Sequence, residues 1–231
     1  MSFLKKLWRI IWKTFFLLFI LSILSVILFR FVPVPFTSLM LIRCAQQVAD
    51  GKTLKLKKSW ESIDNISPNL VLAVVASEDN NFLDHHGFDL EAIGKAMKYN
   101  DKKKGNKVRG ASTISQQTAK NVFLWPGRSY IRKGFEAYFT LLIEFIWGKK
   151  RIMEVYLNVI EMGDGIYGAE SASREYFRKS ASALTRQEAA RIALVLPNPL
   201  RWTPSGQTPY TIKREAWILW NMNNIEEVKW K

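Results

Sequence analysis

Four clusters of polar residues interrupt apolar stretches of this chain, and their types suit proton transfer beside an anion. The first is Glu78 to Gly87, EDNNFLDHHG. Leu70, Val74 and Glu78 fall at i, i+4 and i+8, so Glu78 continues an apolar helical stripe. A carboxylate there is either solvated at a helix end or half-buried with a raised pKa, as a general base requires. An acidic pair closing a helix also opposes the macrodipole. The second cluster is Arg109 to Asn121, RGASTISQQTAKN. Gly110 permits a close approach, Ser112 or Thr113 would cap a helix, and Ser112, Gln116 and Lys120 stack at four-residue spacing. The free N–H groups of such a helix start, with the hydroxyls and Lys120, would cradle a phosphate. A normally capped helix with a polar solvent face fits the same spacing.

The third cluster sets Arg128, Arg132 and Glu136 on one predicted helical face with Lys133 beside them. Arg132 and Glu136 also fit an ordinary i,i+4 surface pair, worth about 0.2–0.5 kcal/mol. The fourth, KRIMEVYLN from Lys150 to Asn158 and then Glu161 to Gly168, holds three glycines in six residues and reads as scaffold around a tight turn. Metal ligation of the Cys/His kind is not expected. Cys44 is the single cysteine, and the two histidines are the neighbours His85 and His86, which point about 100° apart on a helix.

These clusters need helices to hold them. Ser67-Pro68 is an N-cap followed by proline at the first helical position, leading into NLVLAVVASED. Thr185 to Glu188 has the capping-box pattern, and Thr208-Pro209 opens a last helix through Trp220. Between them the periodicity predicts helices at about 90–99, 113–123, 130–147, 149–160 and 167–177, and another at 37–49. The segment 52–58 reads as a short strand or a headgroup-facing stretch. Residues 100–109, NDKKKGNKVR, have the composition of a mobile loop that could flap over a cleft. Phe123 to Trp125 is a candidate for dipping into lipid, with core packing as the alternative.

The 16 residues from Thr14 to Phe29 carry no charge, while Lys5, Lys6, Arg9 and Lys13 precede them. With its flanks the run is long enough to cross a bilayer, and no small-x-small cleavage site follows it, so a retained anchor is expected over a cleaved signal peptide. Basic residues on the N-terminal side predict a cytoplasmic N-terminus (1–9), an anchor (10–32), a membrane-proximal linker (33–66) and an external domain (67–231). The chain of 231 residues is 48% apolar, enough for a buried core, and carries a formal charge of +14. That excess favours an anionic partner, and an external location argues against nucleic acid.

In order, the motifs EDxxFxxHxG, GxSTIxQQxxKN, RKxxE, RIxExYLN and ExGxGxYG resemble those of the family 51 glycosyltransferases. These are the glycan-polymerising domains of penicillin-binding proteins and their monofunctional relatives. The likeness runs from Glu78 to about Gly168 and continues through TRQEAA and LPNP (Thr185 to Pro199). The SxxK, SxN and KTG motifs of a transpeptidase half are not found, so the chain looks like the monofunctional branch of Gram-negative bacteria. The resemblance implies a mainly α, lysozyme-like fold behind one transmembrane helix, located in the inner membrane with its domain in the periplasm. It implies polymerisation of lipid II, with the growing glycan chain and membrane lipids as partners and other cell-wall synthesis or division proteins as candidates.

Carried over residue by residue, Glu78 would be the base and Glu136 the second glutamate, positioning the diphosphate or its metal. Lys120, Arg128, Arg132 and Lys133 would neutralise the departing diphosphate, and Ser112, Gln116 and Asn121 would hold its oxygens. Asp79, Phe82, His85, Gly110 and Thr113 would shape the site. A divalent cation, Mg or Mn, is the candidate cofactor. Two rivals remain: a lytic, lysozyme-like hydrolase, against which a cationic set speaks, since cutting a glycan involves no diphosphate; and a membrane-tethered scaffold, which intact Glu78 and Glu136 oppose.

Overall fold

A computed structural model describes residues 3–102, 110–127 and 129–230. Its helices are α1 (Phe3–Phe31), α2 (Ser38–Ala49), α3 (Pro68–Glu78), α4 (Leu90–Lys102), α5 (Ile114–Phe123), α6 (Tyr130–Ile146), α7 (Gly148–Val159), α8 (Ala169–Phe177), α9 (Arg186–Val195) and α10 (Pro209–Asn224). The chemistry-bearing helices fall into two sets: α3 packs with α9 and α10, and α5 with α6 and α7. Every residue of α3 from Leu70 to Ala76 is buried, which is why its sequence is apolar on all sides rather than striped. Ser67 accepts from the Asn69 amide to start it, and Thr185 and Glu188 close a reciprocal capping box on α9.

A small sheet lies outside the helical periodicity. Strand β1 (Lys57–Lys58) runs parallel to β3 (Ile166–Tyr167), which pairs antiparallel with β2 (Glu161–Gly163). The strand pairing at 57–58 answers the choice left open for 52–58, and Tyr167, expected at a helix start, is extended instead. Gly165, at φ +66, makes the hairpin possible, because a Cβ there would lie 2.2 Å from the Lys55 carbonyl oxygen. Asn158 reaches back from α7, accepting from the Glu61 amide and donating to the Glu61 carbonyl, each at 2.8 Å.

Helix α1 is the one described helix long and apolar enough to span a membrane, from Lys5 to Phe31. It docks on the rest of the molecule. Trp147 donates its indole N–H to the Val26 carbonyl at 2.7 Å. The Arg151 guanidinium donates to the carbonyls of Phe29 (2.9 and 3.1 Å) and Val32 (2.8 Å), satisfying acceptors that a helix end leaves free. Val26, Val34 and Met40 are fully buried in the same core as α3 and α7, so residues 33–66 are packed rather than slack.

Of the two readings of 123–125, core packing holds for Phe123 and Leu124. Phe123 stacks on Phe139 with ring centroids 4.5 Å apart and Leu124 is buried, leaving only Trp125 exposed. Helix α6 instead turns Ile131, Phe135, Leu141 and Phe145 outward.

Candidate active site

Glu78 is the last residue of α3, and the carboxylate it carries comes into contact with the other helix set. Gln117 of α5 donates its amide N–H to Glu78 Oε2 at 2.9 Å. The hydroxyl of Tyr156, fully buried on α7, donates to Gln117 Oε1 at 3.2 Å and fixes which way the amide faces. Burial pushes the Glu78 pKa up, more than the Gln117 bond and the charges of Arg214 and Lys120 pull it down, and Asp79 pushes it up further. Burial and the charges of Glu78 and Asp79 keep the Tyr156 hydroxyl well above its usual range, so it remains a donor.

Asp79 forms the hinge between the sets. Its carboxylate accepts from the Ile114 amide at 2.9 Å and from His85 Nε2 at 3.0 Å. The Gly87 amide donates to His85 Nδ1, which leaves the ring proton on Nε2. The Thr113 hydroxyl donates to the Gly87 carbonyl at 2.7 Å, and Gly87, at φ +92, lies so close to Thr140 that a Cβ would stand 2.8 Å from its methyl group. Phe82 is fully buried beneath this loop, with the Lys149 ammonium 4.6 Å from its ring centre.

The start of α5 departs from the expected phosphate cradle. Thr113, not Ser112, is the N-cap, and Gln116 completes a capping box by accepting from the Thr113 amide at 3.1 Å. With the Ile114 amide on Asp79 and the Gln116 amide on Thr113 Oγ1, two of the donors assigned to a ligand already have protein acceptors. An anion does sit at this helix N-terminus, but it is Asp79. Ser112 is exposed, and among the described residues nothing lies within 4 Å of a Cβ built on Gly110, so that face of the glycine is open.

The cations gather instead along α5 and α6. Glu136 is buried and accepts from Arg132 at 2.8 Å and from Lys133 at 2.5 Å. Lys120 stands within electrostatic reach of both glutamates. Burial lowers its pKa, Glu136 opposes that shift, the charges of Arg132 and Lys133 add to it, and Glu78 opposes it. The Asn121 amide nitrogen and Arg132 Nε are buried without a hydrogen-bond partner among the described residues. Arg109 and Arg128 lie outside the described residues. No group of three or more His, Cys, Asp and Glu that could hold a metal occurs among the described residues. Glu136, already paired with two cations, is poorly suited to hold a divalent ion by itself.

Two residues missed in the sequence matter here. Gln117, rather than its neighbour Gln116, faces the base. Arg214 on α10 donates to the Ser77 carbonyl at 3.1 Å, placing a cation at the C-terminus of α3 beside Glu78. The signal for Gln117 is the QQ pair itself, whose second amide lies one position off the four-residue stripe through Lys120.

The sequence model of the transglycosylase family matches residues 46–223, a span that contains every group just described. The chain belongs to this family. Among similar proteins, the biosynthetic peptidoglycan transglycosylases of Bacteroides thetaiotaomicron and Shewanella oneidensis are each 53% identical to it, covering 96% and 93% of this chain and 88% and 90% of their own. That of Caulobacter vibrioides is 51% identical over 92% of this chain and 90% of its own. In this transglycosylase the matched span begins inside α2, so the family relationship includes the segment between the anchor and α3.

Proposed function

We propose that this chain polymerises glycan strands with Glu78 as the general base and Lys120 at the centre of the leaving-group site. The protein is a peptidoglycan glycosyltransferase held by an N-terminal apolar helix. In the reaction proposed, the 4-hydroxyl of the GlcNAc of lipid II gives its proton to Glu78. Its oxygen attacks the anomeric carbon of the terminal MurNAc on the growing chain. The anomeric carbon–oxygen bond to diphosphate breaks as the new glycosidic bond forms, with inversion, and undecaprenyl diphosphate leaves with the electron pair.

The observation that carries this reading is the chain Tyr156–Gln117–Glu78, which orients a desolvated carboxylate of raised pKa. A base of that kind takes up a proton more readily than an exposed glutamate does. Lys120, Arg132 and Lys133, with Arg128, would stabilise charge growing on the diphosphate, where a desolvated cation acts most strongly. The free Asn121 amide N–H and Arg132 Nε are donors for its oxygens. Glu136 would hold Arg132 and Lys133 in place, and no step is routed through a metal. The Lys and Arg of residues 5–13 support a cytoplasmic N-terminus, with the domain in the periplasm and the anchor in the inner membrane.

The test is purified full-length protein with lipid II. Lysozyme-sensitive polymer and released undecaprenyl diphosphate are expected; wall clearing without consumption of lipid II would replace the reading with a hydrolase. Alkaline phosphatase fused after Lys231 should be active, and an inactive fusion would reverse the orientation.

A further inference from the structure

Helices α1 and α6 enclose an apolar groove of about 590 Å3 that neither of them fills. Phe15, Leu18 and Phe19 of the anchor line one wall, Ile131 and Phe135 the other, with Gly134 between those two. All five apolar residues keep two-fifths or more of their surface exposed, so the walls do not close on each other. The groove is a fixed feature, because polar contacts pin the two helices together. At its edge the Ser22 hydroxyl donates to the Phe19 carbonyl and accepts from the Tyr138 hydroxyl at 2.8 Å, and Trp147 and Arg151 hold the anchor higher up.

Gly134 gives the groove its width. Glycine inside a helix costs about 1 kcal/mol relative to alanine, and it is usually accepted where a neighbour packs too close for a Cβ. Here a Cβ would meet nothing within 4 Å. The glycine leaves space open where no protein atom uses it. The same turns of α6 carry Arg132 and Lys133, and Arg132 lies about 60° of helical arc from Phe135. A ligand with an anionic head at those cations therefore has an apolar channel within one turn of the helix for its tail.

We infer that this groove receives the prenyl chain of the lipid-diphosphate substrate. The inference rests on the proposed diphosphate site and adds to it a second point of recognition, for the tail. An ordinary phospholipid chain also fits an apolar groove, but its occupancy would be indifferent to the substrate. A prenyl chain tethered at Arg132 and Lys133 is drawn in by its own headgroup at a high effective concentration.

The experiment compares two substrates with the same disaccharide diphosphate, one on the long prenyl chain and one on a short alkyl chain. Both are turned over by the full-length protein in lipid vesicles. Gly134→Phe fills the groove, and the ratio of kcat/KM for the long chain over the short should fall about tenfold, or about 1.4 kcal/mol. Leu141→Phe places the same aromatic side chain on α6 outside the groove and should leave the ratio at the wild-type value. A Gly134→Phe ratio equal to that of wild type overturns the proposal, whether both activities fall together or neither falls. In a second measurement, Glu78→Gln protein is irradiated with lipid II carrying a photoreactive group along its prenyl chain. Labels on Phe19 or Phe135, displaced by unlabelled lipid II but not by added phospholipid, support the groove; displacement by phospholipid alone overturns it. If Glu78→Gln protein stays active, the base assignment fails while the chain-length ratio remains readable.

Discussion

Gln117 donates its amide N–H to Glu78 Oε2 at 2.9 Å, so the base enters the reaction already oriented by a residue on the opposing helix set. That bond favours the ionised carboxylate and lowers its pKa against the larger effect of burial. The acid limb of kcat/KM should therefore lie above the ordinary glutamate value of 4.5 and move to still higher pH in Gln117→Leu. Arg214→Gln should move it the same way. A pH profile of lipid II polymerisation measures both, and an unmoved limb in Gln117→Leu would detach Glu78 from the rate.

Glu78→Gln keeps the shape of the side chain and removes the proton acceptor. Turnover should drop by about 10²–10⁴-fold, and retention of a tenth of wild-type activity would sink the assignment. Stability should move the other way. A carboxyl whose folded pKa is raised destabilises the fold once it ionises, and costs nothing where folded and unfolded states are both protonated. Glu78→Gln protein should melt higher than wild type near neutrality, with the gap closing as pH falls towards 4.5.

Asp79 acts with the opposite sign. Its charge raises the Glu78 pKa, so Asp79→Asn should shift the acid limb to lower pH. Asp79→Ala should also cost about 1–3 kcal/mol, because the Ile114 amide loses its acceptor in a buried position. Chemical denaturation of the two variants separates the effects; a limb that moves up in Asp79→Asn contradicts the charge argument.

Lys120→Ala should depress kcat roughly 100-fold while changing KM less, as expected for a charge felt most in the transition state. The Glu136 partners should differ from each other. Arg132 keeps 11% of its side-chain surface exposed and Lys133 51%, so water can compensate the loss of Lys133 far better. Arg132→Ala should cost on the order of 3 kcal/mol and Lys133→Ala less than about 1 kcal/mol. Equal losses would mean that burial does not set the strength of the trio.

The elements legible in the sequence are those with local causes. Ser67-Pro68 and the Thr185–Glu188 box mark helix starts because a cap bonds within three residues. Glu78 could be singled out because it continues an apolar stripe. Four-residue spacing aligns Gln116, not Gln117, with Lys120, yet what decides which amide meets the base is a carboxylate 39 residues away. The loss of the helix N-terminus to Asp79 depends on a bond across 35 residues, and Arg214 reaches Ser77 across 137. Strands of two or three residues are too short to show a period at all.

Arg151 and Trp147 make the anchor a stalk rather than a leash. A domain on a slack tether samples every tilt above the bilayer and meets its substrate in few of them. A domain fused to its stalk tilts only as far as the stalk tilts, which would hold the base and the cations within a narrow range of heights over a membrane. Each encounter with a lipid-borne sugar then begins in nearly the same pose, and orientation that other enzymes gain on binding is here set by the way the protein stands.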